Sequence, residues 1–586
     1  MTVAKPVVKV VSYSDHSSRE LEQIAARELG GAHSEPAQYI LDYPTVYVVT
    51  DENNELYRVY VGETSDIRSR TNQHLTIDPE TRDDWLEFKR ADNPEMYVIG
   101  HELFNKSLTL DIENRLMAYL TASPSVVRVE NRRGNPQKQY HTKQYFDDVF
   151  DSIWQALRTE NERLFPSAEV VRDSALFKAS PFHALNVEQE EARSSILNAI
   201  EEALGTDTDE HQLILVSGLA GTGKTVLLSS ILYELFQNRA DPETPDLYRT
   251  ISPYLLVNNP EQVKVYDSIA KKLGLTVNGK TQVSRPTTFI NNTNRNDPAD
   301  VVLIDEGHLL WTQGKQSYKG DNQLFDIIER SRVTVLVFDP YQVMAGNQYW
   351  EPHKLEQMME RADAHIELKM QMRISGNEET QEWIQRITRD QIIGPIPRDP
   401  AYDLRIYDDV GAMYEDIRKR ASATEQGLSR LLATFDWDYN ARRPDADGRP
   451  WTVKIGDFEL PWNRETTKAL KLDRHTKRLA WAEQAATINE VGSHFTVQGF
   501  DLNVAAVILG PSIKYRDGRI QFDASESKNR SVTNRRSLDD GTKLDVSLDL
   551  LRNEMNVLLT RGVNGLYIYA VDPQLREALL KASQEG

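Results

Sequence analysis

The chain has 586 residues, a formal charge of −20, 39% hydrophobic residues and no cysteine. That length suggests about three to five domains, the missing cysteine excludes disulfides and thiolate metal sites, and the acidic balance argues against a protein that coats nucleic acid non-specifically. No apolar run approaches the ~18 residues that span a bilayer, and the start MTVAKPVVKVVSYSDHSSRE turns polar too soon for a signal peptide, so a cytoplasmic protein with no membrane attachment is expected.

The first predicted elements are two strands, VYVVT and YRVYVG, joined by polar DENNEL, so residues 44–75 read as a hairpin. DIRSRTNQHL reads as a helix and MYVIG (96–100) as a strand. Leu108, Ile112, Leu116 and Tyr119 carry helical spacing over 108–120. Together they make a small α+β unit. Within it stand Thr45-Val46-Tyr47, then Tyr60-Val61-Gly62, then Arg70 with His74 one turn later, Glu113 in the second helix, and Asn131. This set resembles the GIY-YIG endonuclease family over roughly residues 42–135, although only the tyrosine of the first signature matches. The resemblance implies phosphodiester cleavage with a divalent metal, Mg²⁺ or Mn²⁺, on Glu113. Arg70 would hold the phosphate, and Tyr47 or Tyr60 would help activate water. The basic stretch Arg128, Arg132, Arg133, Lys138 and Lys143 is a candidate for backbone contacts.

From Phe182 the pattern changes. Apolar strands LILVSG, YLLVNN, DVVLIDE and TVLVFD alternate with helical segments, the signature of a parallel α/β sheet. A second set follows: HIELKMQM, VAAVILG and GLYIYAV. Between them, residues 435–480 are rich in Trp, Pro and charge and read as an insertion. Gly218 to Thr225 form GLAGTGKT between a strand and a helix. This is the phosphate loop in its required context: Gly218, Gly221 and Gly223 let backbone N–H groups face phosphates, Lys224 reaches the β- and γ-phosphates, and Thr225 ligates Mg²⁺. The strand VVLI ends in Asp305-Glu306 about 80 residues later. Asp305 would hold Mg²⁺ and Glu306 would orient and deprotonate water.

Those two motifs define an ATPase. Further motifs resemble superfamily 1 helicases, in the family's order over about 182–572. The resemblance implies that Gln189 reads adenine, Gln342 of Asp339-Pro340-Tyr341-Gln342 senses the γ-phosphate, and Arg373 and Arg561 serve as arginine fingers. Gln498-Gly499-Phe500-Asp501 matches the TxQGxE motif, with Asp501 in place of the usual Glu. LKMQMRISGNEETQEWI, LPWN and NEMNVLLTRGVNGLYIY narrow the resemblance to the Schlafen-type DNA/RNA helicase domain family of prokaryotes.

The expected fold is α/β: a small α+β GIY-YIG-like nuclease domain (1–155), a linker (156–181), and two RecA-like parallel-sheet lobes (182–365 and 366–586), the second with an insertion around 410–480. The expected function is an ATP- and Mg²⁺-dependent nucleic-acid motor fused to an endonuclease, on DNA in preference to RNA, in phage defence or DNA processing. Two alternatives stand beside it. One is an ATP-switched binding protein with a non-cleaving N-terminal module. The other is an RNA-directed helicase. A second basic stretch, Lys528, Arg530, Arg535 and Arg536, reads as a solvated loop or a nucleic-acid contact.

Overall fold

The computed structural model describes all residues except 1–3, 32, 132–138, 207–209, 219–220, 241–243, 315–316, 372, 423–426, 471–475, 477–478, 498, 539–540 and 586. The N-terminal sheet contains β1 (Val7–Ser12), β2 (Thr45–Asn53), β3 (Leu56–Thr64), β4 (Glu95–Gly100) and β5 (Val126–Glu130), in the order β1-β4-β2-β3-β5. The predicted hairpin is β2–β3, with Tyr47 opposite Gly62 and Val49 opposite Tyr60. Its strands run into the polar linker and leave only Asn54 and Glu55 as the turn. Both have positive φ, as a two-residue type I′ turn requires.

Alternation sends the hairpin's side chains to two cores. Val46, Val48, Val59 and Val61 pack with Leu108, Ile112 and Leu116 of the helix Lys106–Ala122. Tyr47, Val49 and Tyr60 belong to the other core, with Ile67, Trp85 and Phe88. Each flanking helix starts on a polar cap. Asp66 accepts from the Arg68 and Ser69 amides, and Asn105 from those of Ser107 and Leu108. A cap of this kind contributes ~1 kcal/mol.

The second sheet holds β6 (Gln212–Gly218), β7 (Pro253–Val257), β8 (Val283–Ser284), β9 (Ala299–Asp305), β10 (Ser331–Phe338) and β11 (Ala364–Leu368), in the order β11-β6-β10-β9-β7-β8. Its pairs β6–β10, β9–β10, β6–β11 and β7–β9 are parallel. The strand in HIELKMQM is therefore the edge of this sheet and not the first of the second set. A lobe boundary at 365/366 falls inside it.

The third sheet uses β12 (Asp403–Tyr407) and β13 (Ser429–Ala433). After them come a hairpin of β14 (Thr452–Ile455) and β15 (Phe458–Pro461), and then β16 (Leu502–Leu509). Two short pairs follow, β17 (Ile513–Arg516) with β18 (Arg519–Phe522) and β19 (Arg536–Ser537) with β20 (Lys543–Leu544), before β21 (Gly562–Ala570). The order β12-β21-β16-β13 is parallel throughout. Since β13 is part of the sheet, the insertion proper lies between β13 and β16.

The chain divides into two compact units. One comprises Met1–Asn186, Ser229–Thr250 and Val265–Val283, the other Val187–Leu228, Ile251–Lys264 and Ser284–Gly586. Both parallel sheets have most of their strands in the second. Among the described residues, no helix is long and apolar enough to cross a membrane.

Candidate active sites

In the first unit a cleft of about 550 Å³ is lined by Tyr60, Gly62, Glu63, Arg70, Gln73, Asp78, Arg82, Lys106, Glu113 and Asn131. Five of the six predicted residues for this site line it or reach its lining directly, and Tyr47 stands immediately behind. The hairpin register explains this placement. Tyr47 pairs across the strands with Gly62, and a Cβ on Gly62 would stand 2.5 Å from the Tyr47 hydroxyl. Only glycine lets the phenol lie against the cleft wall.

His74 is 1% exposed. Its ring stacks on Trp85 at 3.6 Å between centroids and meets the edge of Tyr60. The Tyr47 hydroxyl lies 2.7 Å from His74 Nε2, and His74 Nδ1 lies 2.5 Å from Asp78 Oδ2. Burial and then the Arg70 charge pull the His74 pKa down to about 3. The ring is therefore neutral. Its Nδ1–H donates to the Asp78 carboxylate and Nε2 accepts from Tyr47. Gln73 Nε2 donates to the other Asp78 oxygen at 3.2 Å. Asp78 and Trp85 had no place in the sequence reading. The only local sign was an acid four residues beyond the histidine.

Glu113 is buried, and burial followed by neighbouring Glu63 pushes its carboxyl up to about 8. Asn131 Nδ2 donates to Glu113 Oε1 at 3.0 Å and to the Val61 carbonyl at 2.9 Å. Lys106 pairs with Glu63, so the cation nearest this pair is already engaged. A buried carboxylate in a polar cleft beside a second carboxylate suits a divalent cation with water in its remaining positions. Among the described residues, no group of three or more His, Asp or Glu forms a closed metal cage.

In the second unit, the ATP-site candidates gather at the carboxyl ends of β6, β9 and β10, where open parallel sheets bind ligands. Gly221 and Gly223 have φ of +88° and +76°, which favours glycine. Lys224 Nζ donates to the Gly218 carbonyl at 2.7 Å, closing the loop on itself. Burial lowers the lysine's pKa. Thr225 Oγ1 donates to Asp305 Oδ2 at 3.1 Å. Glu306 takes a left-handed φ of 51°, beside His308 at 3.1 Å and Gln262, whose Nε2 donates to it at 3.3 Å. Gln189 Nε2 donates to the Thr222 carbonyl at 3.0 Å.

Two arginines also lie here. Arg561, directly before β21, donates through Nη2 to Gln342 Oε1 at 3.1 Å, while Gln342 donates to Asp339 at 2.7 Å. Burial, and then the charge of Arg373, lowers the Arg561 pKa to about 10. Arg373 pairs with Asp501 at 2.5 Å. Its backbone flanks the phosphate loop, since a Cβ on Gly221 would stand 2.5 Å from Arg373 Cβ. Gly499 has φ of +83° and packs on Gln262. Gln498 lies outside the described residues. His308 closes the segment Asp305-Glu306-Gly307-His308, which resembles the DExx box, and Gln262 is the additional polar neighbour of Glu306 that sequence reasoning missed.

The two basic stretches fare differently. Arg132, Arg133 and Lys138 lie outside the described residues. Arg128 pairs with Glu130, and Lys143 with Asp111. Lys528, Arg530 and Arg535 are exposed, whereas Arg536 is 3% exposed and is withdrawn from any surface track.

The family model for the Schlafen group 3 DNA/RNA helicase domain matches residues 211–572. That for the GIY-YIG catalytic domain matches residues 43–120. An uncharacterized protein of Saccharomyces cerevisiae is 34% identical over 456 residues, covering 71% of this chain and 94% of that relative. The resemblance thus extends beyond prokaryotes. Among solved structures, Pif1 helicase from Candida albicans is similar at 12% identity over 68% of this chain and 97% of that one, with a TM-score of 0.29.

Proposed function

The chain belongs to the Schlafen group 3 DNA/RNA helicase domain family and carries a GIY-YIG catalytic domain ahead of that region, and from this premise we propose an ATP-driven nucleic-acid motor fused to a metal-dependent endonuclease acting on DNA. One observation carries the reading. In one unit lie Lys224, Thr225, Asp305, Glu306, Gln342, Arg373 and Arg561, and in the other Tyr47, Arg70, His74, Glu113 and Asn131, two groups of side chains that support this chemistry.

In the motor, Lys224 leaves the Gly218 carbonyl for the phosphates of ATP. Thr225 and Asp305 would hold Mg²⁺, which would supply neutralisation of phosphate charge. Glu306 orients the attacking water and receives its proton. Gln342 and Arg561, already hydrogen-bonded to each other, carry the state of the γ-phosphate from the second sheet to the third. Arg373 stabilises charge on the transferring group.

In the nuclease, Glu113 would hold a divalent cation, Mg²⁺ or Mn²⁺, which would supply charge stabilisation at the scissile phosphate. Asn131 keeps the carboxylate aimed at the cleft. Arg70 binds the phosphate oxygens. Tyr47 has a proton acceptor at 2.7 Å and is therefore the phenol suited to activate water, with Tyr60 packed beside it.

The test uses labelled single-stranded, duplex and forked DNA and matched RNA, in Mg²⁺ or Mn²⁺, with and without ATP. Cleavage of DNA that is lost in Glu113→Ala, with nucleic-acid-stimulated ATPase lost in Lys224→Ala, is expected. Cleavage confined to RNA would move the substrate. ATPase without cleavage of anything would reduce the N-terminal domain to a recognition module.

A further inference from the structure

His74 sits between two oxygens. Tyr47 Oη is 2.7 Å from Nε2 and Asp78 Oδ2 is 2.5 Å from Nδ1. The ring is clamped on Trp85, so it does not turn to find other partners. Asp78 begins the short helix Asp78–Thr81. Its second oxygen accepts from Gln73, which in turn accepts from Arg70 at 2.8 Å. The carboxylate is thus held from two sides and aimed at the imidazole.

The geometry points to Asp78 as a positioning residue for phosphodiester cleavage: its carboxylate selects the His74 tautomer whose Nε2 takes the proton of Tyr47. This rests on the nuclease reading of the cleft. A neutral imidazole donates through one nitrogen and accepts through the other, and its outer partner decides which. With a carboxylate on Nδ1, the proton resides there and Nε2 is the acceptor. The groups facing the ring are Tyr47, Tyr60, Arg70, Asp78 and Arg82. Burial and the two arginines oppose a second proton on the ring, and Asp78 favours it. A phosphodiester paired with Arg70 would offset part of the opposing charge.

The step balances. The Tyr47 O–H bond breaks as Nε2–H forms. The phenolate then takes a proton from water as the water oxygen bonds to phosphorus. The bond from phosphorus to the leaving sugar oxygen breaks, and that oxygen takes a proton from solvent. His74 returns its extra proton to solvent.

The full chain would be prepared with ¹⁵N-imidazole histidine as wild type, Asp78→Asn and Asp78→Glu, with His74→Gln to assign the signal. The same proteins would cut DNA at saturating and limiting substrate. The expected wild-type signal is a neutral ring protonated on Nδ1. Asp78→Asn offers an amide donor to Nδ1, so the proton should move to Nε2. Its kcat should fall at least ~100-fold, the scale of lost acid–base catalysis, with KM nearly unchanged. Asp78→Glu should recover part of the rate. Asp78→Asn cutting at the wild-type rate would overturn the role of Asp78 alone. So would lost cleavage with an unmoved His74 signal, or a signal that is Nε2-protonated in wild type. A wild type that cuts nothing overturns the nuclease reading itself, and the proposal with it.

Discussion

Glu113 shows how a single side chain can store the demand for a cation. Its carboxyl is 7% exposed, and burial moves its pKa from 4.5 to about 8. The unfolded chain ionises this group near pH 4.5, while the folded, metal-free protein keeps it protonated until about pH 8. Its contribution to stability is therefore full below pH 4.5 and is lost progressively as pH rises to about 8. Glu113→Gln has nearly the same shape and no charge to bury. In EDTA its melting temperature should match wild type at pH 4.5 and exceed it by several degrees at pH 8.5. Adding Mn²⁺ should raise the wild-type melting temperature more at pH 8.5 than at pH 6.5, because binding must displace the proton at the lower pH. Glu113→Gln should show no such pH-dependent rise. Equal melting temperatures for both proteins at pH 8.5 without metal would mean that the carboxylate is not held against its charge.

At the scale of elements, the β2–β3 hairpin positions the cleft. The pairing of Tyr47 with Gly62 leaves no room for a side chain at position 62, because Tyr47 and Tyr60 both lie within 2.8 Å of where its Cβ would go. Tyr47 cannot swing away, as its ring is buried and its hydroxyl is bound to His74. Gly62→Ala should therefore cost ~1–3 kcal/mol, typical of overpacking, and lower cleavage by at least tenfold. Thermal melting and a single-turnover cutting assay check both, and an alanine variant indistinguishable from wild type in each would remove this account of the glycine. The hairpin was legible because period-two alternation and a polar linker are local properties. Asp78 was not, because an acid one helical turn past a histidine is usually a solvated pair, and it acquires meaning only when Trp85 and Tyr47, from distant segments, enclose the ring. The strand in HIELKMQM was legible as a strand, but its sheet was not. Pairing of β11 with β6 joins segments about 150 residues apart, and no local pattern records that crossover. The ATP-site residues were readable because phosphate chemistry ties them to strand ends of recognisable sequence. Gln262 comes to Glu306 from packing alone, whereas His308 lies two residues along the same segment.

At the scale of the whole molecule, the second and third sheets share one compact unit, and a few buried polar side chains hold them there. Asn553 Nδ2 donates to the Val343 carbonyl at 2.9 Å, and Asn556 Nδ2 to that of Tyr341 at 3.2 Å. Arg536 does more than either. Its Nη1 donates to Thr312 Oγ1 at 2.7 Å and to the Gly346 and Tyr349 carbonyls, and its Nη2 to Glu351 Oε1 at 2.8 Å. In the sequence this arginine looked like one more charge in a surface run. In the fold its planar fork gathers acceptors from the segments around β10 and binds them to β19. Removing one member of a buried pair costs more than the pair contributes, because the partner's charge stays buried. Among the described residues, Glu351 would keep Lys354 at 3.7 Å and His353 at 4.0 Å. Arg536→Ala should thus lose about 3 kcal/mol, and Arg536→Met, which restores apolar volume without donors, should recover only a minor part. Urea unfolding followed by tryptophan fluorescence measures this loss. The wild-type unit should unfold in one transition, while Arg536→Ala should unfold earlier and over a broader range as the β19 segment loses its anchor on the segments around β10. A change below ~0.5 kcal/mol, the scale of an ordinary surface substitution, would show that Arg536 is not what holds the β19 segment in place.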